Sequence, residues 1–301
     1  MKKARLTIAI CTYNRNHLIE GCINSILVQK KQAISFPEII VIDNFDNNLN
    51  HRDLQDICSR FTDVRLFFEK RAGLSHARNK AISLCKSDFI AFLDDDALAQ
   101  SGYINKLLHT IDTFSFDCFG GSITSTWIYG RPRWLPEDYG NKPALSETTS
   151  NINEGYIWGS NMVFKLASLK ALNGFPVDTG MKAKKLGYAA ENLVQIEMRK
   201  RGMSIGYVPD LSVLHIVSKE KLNISWHLKA SFAGARDGRL VFPENYTAFA
   251  IIMLGLRIPV ILLKSCLALI NDPTYYWENL VLDLGKHLTR ISGSLVAQTK
   301  Q

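Results

Sequence analysis

Three consecutive aspartates, Asp94-Asp95-Asp96, follow an apolar run over residues 89–93. In an extended chain residues i and i+2 face the same way, so Asp94 and Asp96 leave the run together while Asp95 turns aside. Two hard oxygen donors at the C-terminal end of a parallel strand suit Mg²⁺ or Mn²⁺, and such an ion favours phosphate groups. A strand-ending turn with a helix cap would use the same residues, and the tripeptide alone does not choose between the two. Asp43-Asn44 ends a second apolar run, 38–42, where the side chains can bond a base or a ribose or simply build the turn. Thr12-Tyr13-Asn14-Arg15 closes the first run and opens the first helical pattern, offering free backbone N–H groups and an aromatic face. Neither GxGxxG nor GxxxxGK[ST] occurs, which argues against a dinucleotide fold or a P-loop. By themselves, His215 reads as a core histidine of an apolar strand and Glu191 as an acid favouring a helix N-terminus through the dipole.

These residues need a scaffold that brings strand ends together. Residues 6–10, 38–42, 64–68 and 88–93 read as strands, while 16–29 and 75–85 carry apolar residues at helical spacing. In the run 38–42 every residue after Glu38 is apolar, as in a strand covered on both faces. Strand and helix alternating at this spacing predict a parallel sheet with crossover helices. Further on, 124–150 is rich in turn formers and aromatics, including Trp127, Tyr129, Pro132, Trp134 and Pro136, and reads as a long loop. Residues 157–164 read as a strand, 191–201 as a helix closed by Gly202, and 205–208 and 211–214 as short strands.

The chain has 301 residues, 47% apolar and 21% charged, with 36 Lys+Arg against 28 Asp+Glu and a net charge of +8. This composition excludes a disordered or fibrous protein. The positive excess suits anionic partners, but the clusters Lys182, Lys184, Lys185 and Arg199, Lys200, Arg201 lack the interleaved aromatics of a nucleic-acid binder, so no nucleic-acid partner is expected. Six cysteines form no CxxC pair, and no secretory signal follows Met1-Lys2-Lys3, which points to the reducing cytoplasm. From 246 to 270, 19 of 25 residues are apolar, interrupted by Arg257, Pro259 and Lys264. Pro259 suits the first turn of a second helix. The segment therefore reads as two short amphipathic helices, in a membrane interface or packed on the enzyme or a partner subunit, rather than one spanning helix.

Taken in order, CTYNR, VIDN, RAGLSHARN, FIAFLDDD, WGSNMVFKLASLKALNGFP, AENLVQIEMRKRG and VLHIV resemble the motifs of GT-A glycosyltransferases of family 2, over residues 5–225. A lone DxD is a weak signal; the ordered set is a strong one. The resemblance implies an α/β GT-A fold, a Rossmann-like, mostly parallel sheet flanked by helices, with a C-terminal helical extension. The expected division is a glycosyltransferase domain over 1–240 (a nucleotide-binding half, 1–120, and an acceptor and catalytic half, 121–240) and an amphipathic tail over 241–301.

The resemblance also implies a metal-dependent, inverting transfer of a sugar from a nucleotide sugar, most often a UDP-sugar, to a hydroxyl of a glycan or lipid-linked glycan in polysaccharide or glycolipid synthesis. Thr12, Tyr13, Arg15, Asp43, Arg78, Asn79 and Asp94 would hold the nucleotide. Asp94, Asp96 and His215 would hold Mn²⁺ or Mg²⁺. Trp158, Gly159 and Asn161 would face the donor and acceptor sugars, with Trp158 a flat platform for a sugar face. Glu191 would be the catalytic base, with Ala190 standing where family members often carry a second acid. A basic loop over 182–188 would close over the diphosphate, and the aromatic loop 127–134 would shape the acceptor site. The enzyme would work at the inner face of the cytoplasmic membrane, with 246–270 as a peripheral contact, and could form homo-oligomers. A nucleotidyltransferase, or a non-catalytic nucleotide-binding subunit of a glycan-assembly complex, are the rival readings. The former normally carries a glycine-rich basic loop after its first strand, and CTYNRN is not one.

Overall fold

The computed structural model describes residues 5–182 and 185–296. These fall into two compact units, one made of 5–126, 140–182 and 190–216, the other of 127–139, 185–189 and 217–296.

The first unit is built on a nine-stranded mixed sheet. Its elements in chain order are β1 (Leu6–Thr12), α1 (Asn16–Leu27), β2 (Glu38–Asp43), α2 (Asn48–Ser59), β3 (Val64–Phe68), α3 (Leu74–Leu84), β4 (Phe89–Asp94), β5 (Ala97–Ala99), α4 (Tyr103–Thr113), β6 (Cys118–Thr126), β7 (Ser150–Asn151), β8 (Asn161–Lys165), α5 (Leu166–Ala171), α6 (Ala190–Lys200) and β9 (Ile205–Ile216). The strand order is β3-β2-β1-β4-β8-β6-β9-β5, with β7 paired to β9. Strands β3, β2, β1 and β4 run parallel, and β8 joins β4 antiparallel. From β1 the chain moves outward to β2 and β3, then returns to place β4 on the opposite side. The C-terminal ends of β1 and β4 thus flank a topological switch point, where open α/β sheets bind ligands.

Side-chain alternation divides the core. Leu6, Ile8 and Ile10 of β1, Ile39 and Val41 of β2, and Ala91 and Leu93 of β4 pack on one face with Ile19, Ile23, Tyr103 and Leu107. Ala9, Ile40, Ile42, Ile90 and Phe92 pack on the other with Ala77, Ala81, Leu169, Val194 and Met198. A strand covered on both faces needs apolar residues at successive positions, which is why β2 reads as a continuous run.

Two predicted strands, 205–208 and 211–214, prove to be one, β9. The break between them is an irregularity: the register of β6 against β9 shifts between Gly121 and Ile123, opposite the segment that contains Pro209, which has no N–H for a ladder. A Cβ on Gly121 would run into the carbonyl oxygens of Leu211 and Val208, so only glycine allows this approach.

The second unit is helical: α7 (Ile224–Val241), α8 (Ala248–Leu256), α9 (Ile258–Asn271) and α10 (Trp277–Leu295). Pro259 lies in the first turn of α9, and Arg257 separates the two apolar helices, as the sequence predicts. The aromatic segment 127–139 has no regular element; Trp134 and Leu135 are buried with Leu282 and pack against Trp127, Tyr139 and Tyr276. These aromatics form a small core in this unit.

Candidate active site

Strand β4 delivers Asp94 to the switch point, and the chain turns through Asp95 and Asp96 into β5. The antiparallel β5–β9 ladder sets Ala97 opposite His215, and the N–H of Ile216 donates to the carbonyl of Asp96 at 2.8 Å. Pairing of two strands distant in sequence thereby gathers one donor atom each from Asp94, Asp96 and His215 within 4.8 Å of one another. Asp95, in the turn, points away from this set and accepts the hydroxyl of Thr12 at 2.7 Å. Arg15 donates to Asp96 at 2.6 Å and lies 3.1 Å from Asp95. Burial pushes the Asp95 carboxyl up to about 7 against the pull of Arg15, and raises Asp94 against the pull of Arg78.

A second charged group lies beside the first. Arg78 of α3 is 2% exposed, donates to Glu191 at 2.5 Å, and lies 3.7 Å from Asp94. The rings of Phe92 and Phe175 flank its guanidinium at 5.9 and 5.2 Å. Burial works against the charge on Glu191, but the Arg78 charge and hydrogen bond outweigh it and hold the carboxyl below the usual range. Two features fix this pair in place. A Cβ on Gly159 would sit 2.6 Å from Glu191 Oε1 and 2.8 Å from Arg78 Nη2, so a side chain here would displace the pair. One helical turn beyond Glu191, the fully buried Gln195 donates to the carbonyl of Ile157 at 2.9 Å and accepts its N–H at 2.8 Å, clamping α6 to the segment that carries Trp158 and Gly159.

The remaining candidates divide. Asp43 ends β2 beside Thr12 in the parallel register, and its carboxyl is bonded to the N–H of Phe45 and to His51. Tyr13 meets Phe45 edge-on at 4.9 Å. Trp158 is 39% exposed, with Lys142 Nζ 4.2 Å from its ring centroid. Asn79 is spent elsewhere: its amide donates to the carbonyl of Phe175 and accepts its N–H, both at 2.8 Å. Asn161 is fully buried, accepting Tyr103 Oη and donating to the carbonyl of Leu211 at 2.7 Å. Both asparagines are hydrogen-bonded to other parts of this unit. Residues 183 and 184 of the basic segment 182–188 lie outside the described residues; beyond them, the Leu186 carbonyl accepts from Arg236 and the Tyr188 N–H donates to Asp237.

The model of the family described as "Glycosyl transferase family 2" matches residues 7–172, more than half of the chain. The chain belongs to glycosyl transferase family 2. A glucosyl-dolichyl phosphate glucuronosyltransferase of Haloferax volcanii is 25% identical over 256 residues, 80% of this chain and 79% of the relative. Among solved structures, the mannosyltransferase PcManGT from Pyrobaculum calidifontis, in complex with GDP-Man and Mn²⁺, aligns with a TM-score of 0.59 at 16% identity over 96% of this chain and 88% of that one. TarS of S. aureus, residues 1–349 in complex with UDP, aligns with a TM-score of 0.57 at 14% identity over 96% and 90%. These likenesses show the GT-A fold. The chain is thus a nucleotide-sugar glycosyltransferase of glycan biosynthesis.

The donor set of this family 2 transferase suits a divalent cation: two carboxylates and an imidazole converge. Four carboxylates, Asp94, Asp95, Asp96 and Glu191, face two guanidiniums, Arg15 and Arg78. Burial makes Asp94 reluctant to ionise, and a cation held at this donor set would favour its carboxylate form. Sequence reasoning missed His51, Lys142 and Gln195. Only Gln195 carried a signal, four residues after Glu191 on the same helix face; the other two are placed by tertiary packing alone.

Proposed function

We propose that this transferase is metal-dependent and inverting, and passes a sugar to a hydroxyl of a glycan or lipid-linked glycan. The observation that carries this reading is the adjacency of a convergent Asp94/Asp96/His215 donor set and a half-buried Glu191 paired with Arg78, which also lies beside Asp94. Asp94, Asp96 and His215 would hold Mn²⁺ or Mg²⁺. When bound, that ion offsets charge on a departing nucleoside diphosphate, a Lewis-acid contribution of several kcal/mol. Thr12, Tyr13 and Arg15 line the nucleotide side at the end of β1, with Asp43 one strand further out. Arg78 adds a fixed positive charge beside Asp94. Trp158 offers its face to a sugar, and Gly159 leaves room between that sugar and the base.

Glu191 accepts the proton of the acceptor hydroxyl as its oxygen bonds to the anomeric carbon. The bond from that carbon to phosphate breaks on the opposite side, and its electron pair leaves with the nucleoside diphosphate. One base and in-line displacement give inversion. Lying below the usual carboxylate range, Glu191 is ionised at neutral pH, as a base must be.

The 24-residue stretch Ala248–Asn271 is long and apolar enough to cross a membrane, yet only 6% of its most apolar part is buried. Its break at Arg257 and the exposure of Phe249, Ile252, Leu256, Leu263 and Ile270 on both helices favour peripheral contact with a lipid surface, which would bring the enzyme to a lipid-linked acceptor. The catalytic domain would then span 1–240 and the membrane-facing tail 241–301. The test is hydrolysis or transfer from a panel of nucleotide sugars with Mn²⁺. Asp96→Ala should lose both turnover and metal-dependent donor binding, whereas Glu191→Gln should lose turnover and still bind the donor. A fully active Glu191→Gln enzyme removes the base assignment.

A further inference from the structure

A cavity of about 430 Å³ opens in the helical unit, among α7, α10 and the segment 185–189. Its lining lies outside residues 7–172, the span of the family match. Leu186, Leu228, Phe232 and Ala233 make its wall apolar, and α10 contributes Thr289. The helices are in tight contact before and after Thr289: a Cβ on Gly285 would lie 2.5 Å from Leu228 Cδ2, and one on Gly293 2.4 Å from the carbonyl oxygen of Phe232. The charged part of the lining is cationic, with Lys185, Lys229 and Arg236. Arg236 is already balanced: Asp237, 2% exposed, accepts its Nε at 2.6 Å and its Nη2 at 2.9 Å. Arg236 also donates to the carbonyl of Leu186 at 2.9 Å, and Asp237 accepts the N–H of Tyr188 at 2.8 Å, so α7 holds the segment 185–189 in place. Lys185 and Lys229, both exposed, have no carboxylate partner among the described residues. Two ammonium groups thus stand unbalanced beside an apolar wall.

We propose that this cavity holds a single-chain lipid phosphate, the lipid end of the acceptor, with its chain against Leu228 and Phe232 and its phosphate on Lys185 and Lys229. The proposal rests on the lipid-linked acceptor reading above. Cavities of this size bury an apolar body and orient it with a few polar groups. A neutral chain leaves both ammonium groups without an anion, and a free phosphate leaves the apolar wall uncovered, so a molecule with both parts meets the whole lining. Each ammonium donates to phosphate oxygens in a charge-assisted hydrogen bond, while the lysine stems extend the apolar surface. The volume lies toward the small end of ligand cavities, which suits one chain and not the two of a bilayer phospholipid. The same unit exposes the apolar side chains of α8 and α9, so the unit that would meet a lipid surface is the one that carries the cavity. The segment that supplies Lys185 and Leu186 runs on in sequence into α6 and Glu191.

The experiment is calorimetric titration of the full chain with farnesyl phosphate, farnesol, inorganic phosphate and dihexanoyl phosphatidylglycerol, a soluble two-chain phospholipid, each below its micelle concentration. Farnesyl phosphate should bind the wild type at least about tenfold tighter than any of the others, because hydrogen bonds to an ionised group are the strong ones. Lys229→Glu should weaken that binding at least about tenfold, Lys229→Arg should keep it, and Thr289→Trp, which fills the cavity, should abolish it; thermal denaturation checks that each variant folds. Absence of farnesyl phosphate binding, equal affinity for farnesol or for the two-chain lipid, or unaltered affinity in both Lys229→Glu and Thr289→Trp overturns the proposal. Transfer of labelled sugar from a nucleotide sugar into extracted membrane lipid separates this inference from the acceptor reading. Label that enters lipid equally with the wild type and both variants overturns the cavity's role and leaves the lipid-linked acceptor standing. Farnesyl phosphate bound as expected, with no label entering lipid, leaves the cavity as a lipid-phosphate site and removes the acceptor reading.

Discussion

Glu191 is held ionised in a partly buried place by one guanidinium, and its pH behaviour follows. The working form of a base is the carboxylate, so kcat/KM falls as pH drops through its pKa. Since Arg78 depresses that pKa, the acid limb at saturating metal should lie below the usual carboxylate range. In Arg78→Gln the attraction is gone while burial remains, so the limb should move to higher pH; an unmoved limb would show that another group sets it. Glu191→Gln should lower kcat by about 10²–10⁴-fold with the donor Kd unchanged. The acidic tripeptide was legible because an apolar strand runs directly into it, although a turn, and not strand alternation, sets the directions of Asp95 and Asp96. The partners of Asn79 and Asn161 were not legible, because an asparagine amide serves a ligand or a backbone equally well, and only the fold shows their bonds to Phe175, Tyr103 and Leu211.

Elements set the distances between these residues. Strand β9 returns His215 to the acidic turn, and α6 is pinned by Gln195 to the loop holding Gly159. Gly159→Ala should displace the Arg78–Glu191 pair and cut kcat well before it affects the melting temperature, since the clash is with side-chain termini. Gln195→Leu strands the N–H and C=O of Ile157; at about 1–3 kcal/mol for each orphaned group, it should lower both Tm and kcat, as thermal denaturation and steady-state kinetics would report. The parallel strands were legible as apolar runs. Helix α2 was not: among the described side chains of its sequence NLNHRDLQDICS only Leu54 and Cys58 are buried, too sparse a stripe to register as periodicity. That omission also hid His51. Helices α7 and α10 escaped for a similar reason, since His227, Ala233, Ala235 and Asp237 supply the buried positions of α7 in place of large apolar residues.

At the scale of the whole chain, two units carry separate tasks: a sheet that gathers carboxylates at its switch point, and helices whose apolar side chains are left exposed. The apolar tract was legible from composition, and so was its division at Arg257 and Pro259. Replacing Ile252 and Leu256 with aspartate should abolish flotation with anionic vesicles while hydrolysis of a soluble nucleotide sugar continues; unchanged flotation would show that these helices meet protein instead. The central claim, that a cation at Asp94, Asp96 and His215 joins the donor to the enzyme, is tested most directly by thermal denaturation across a panel of nucleotide sugars, with and without Mn²⁺. At least one donor should raise the Tm of wild-type protein only when the metal is present, and Asp96→Ala should show no such rise. Equal stabilisation without metal, or in Asp96→Ala, would contradict it.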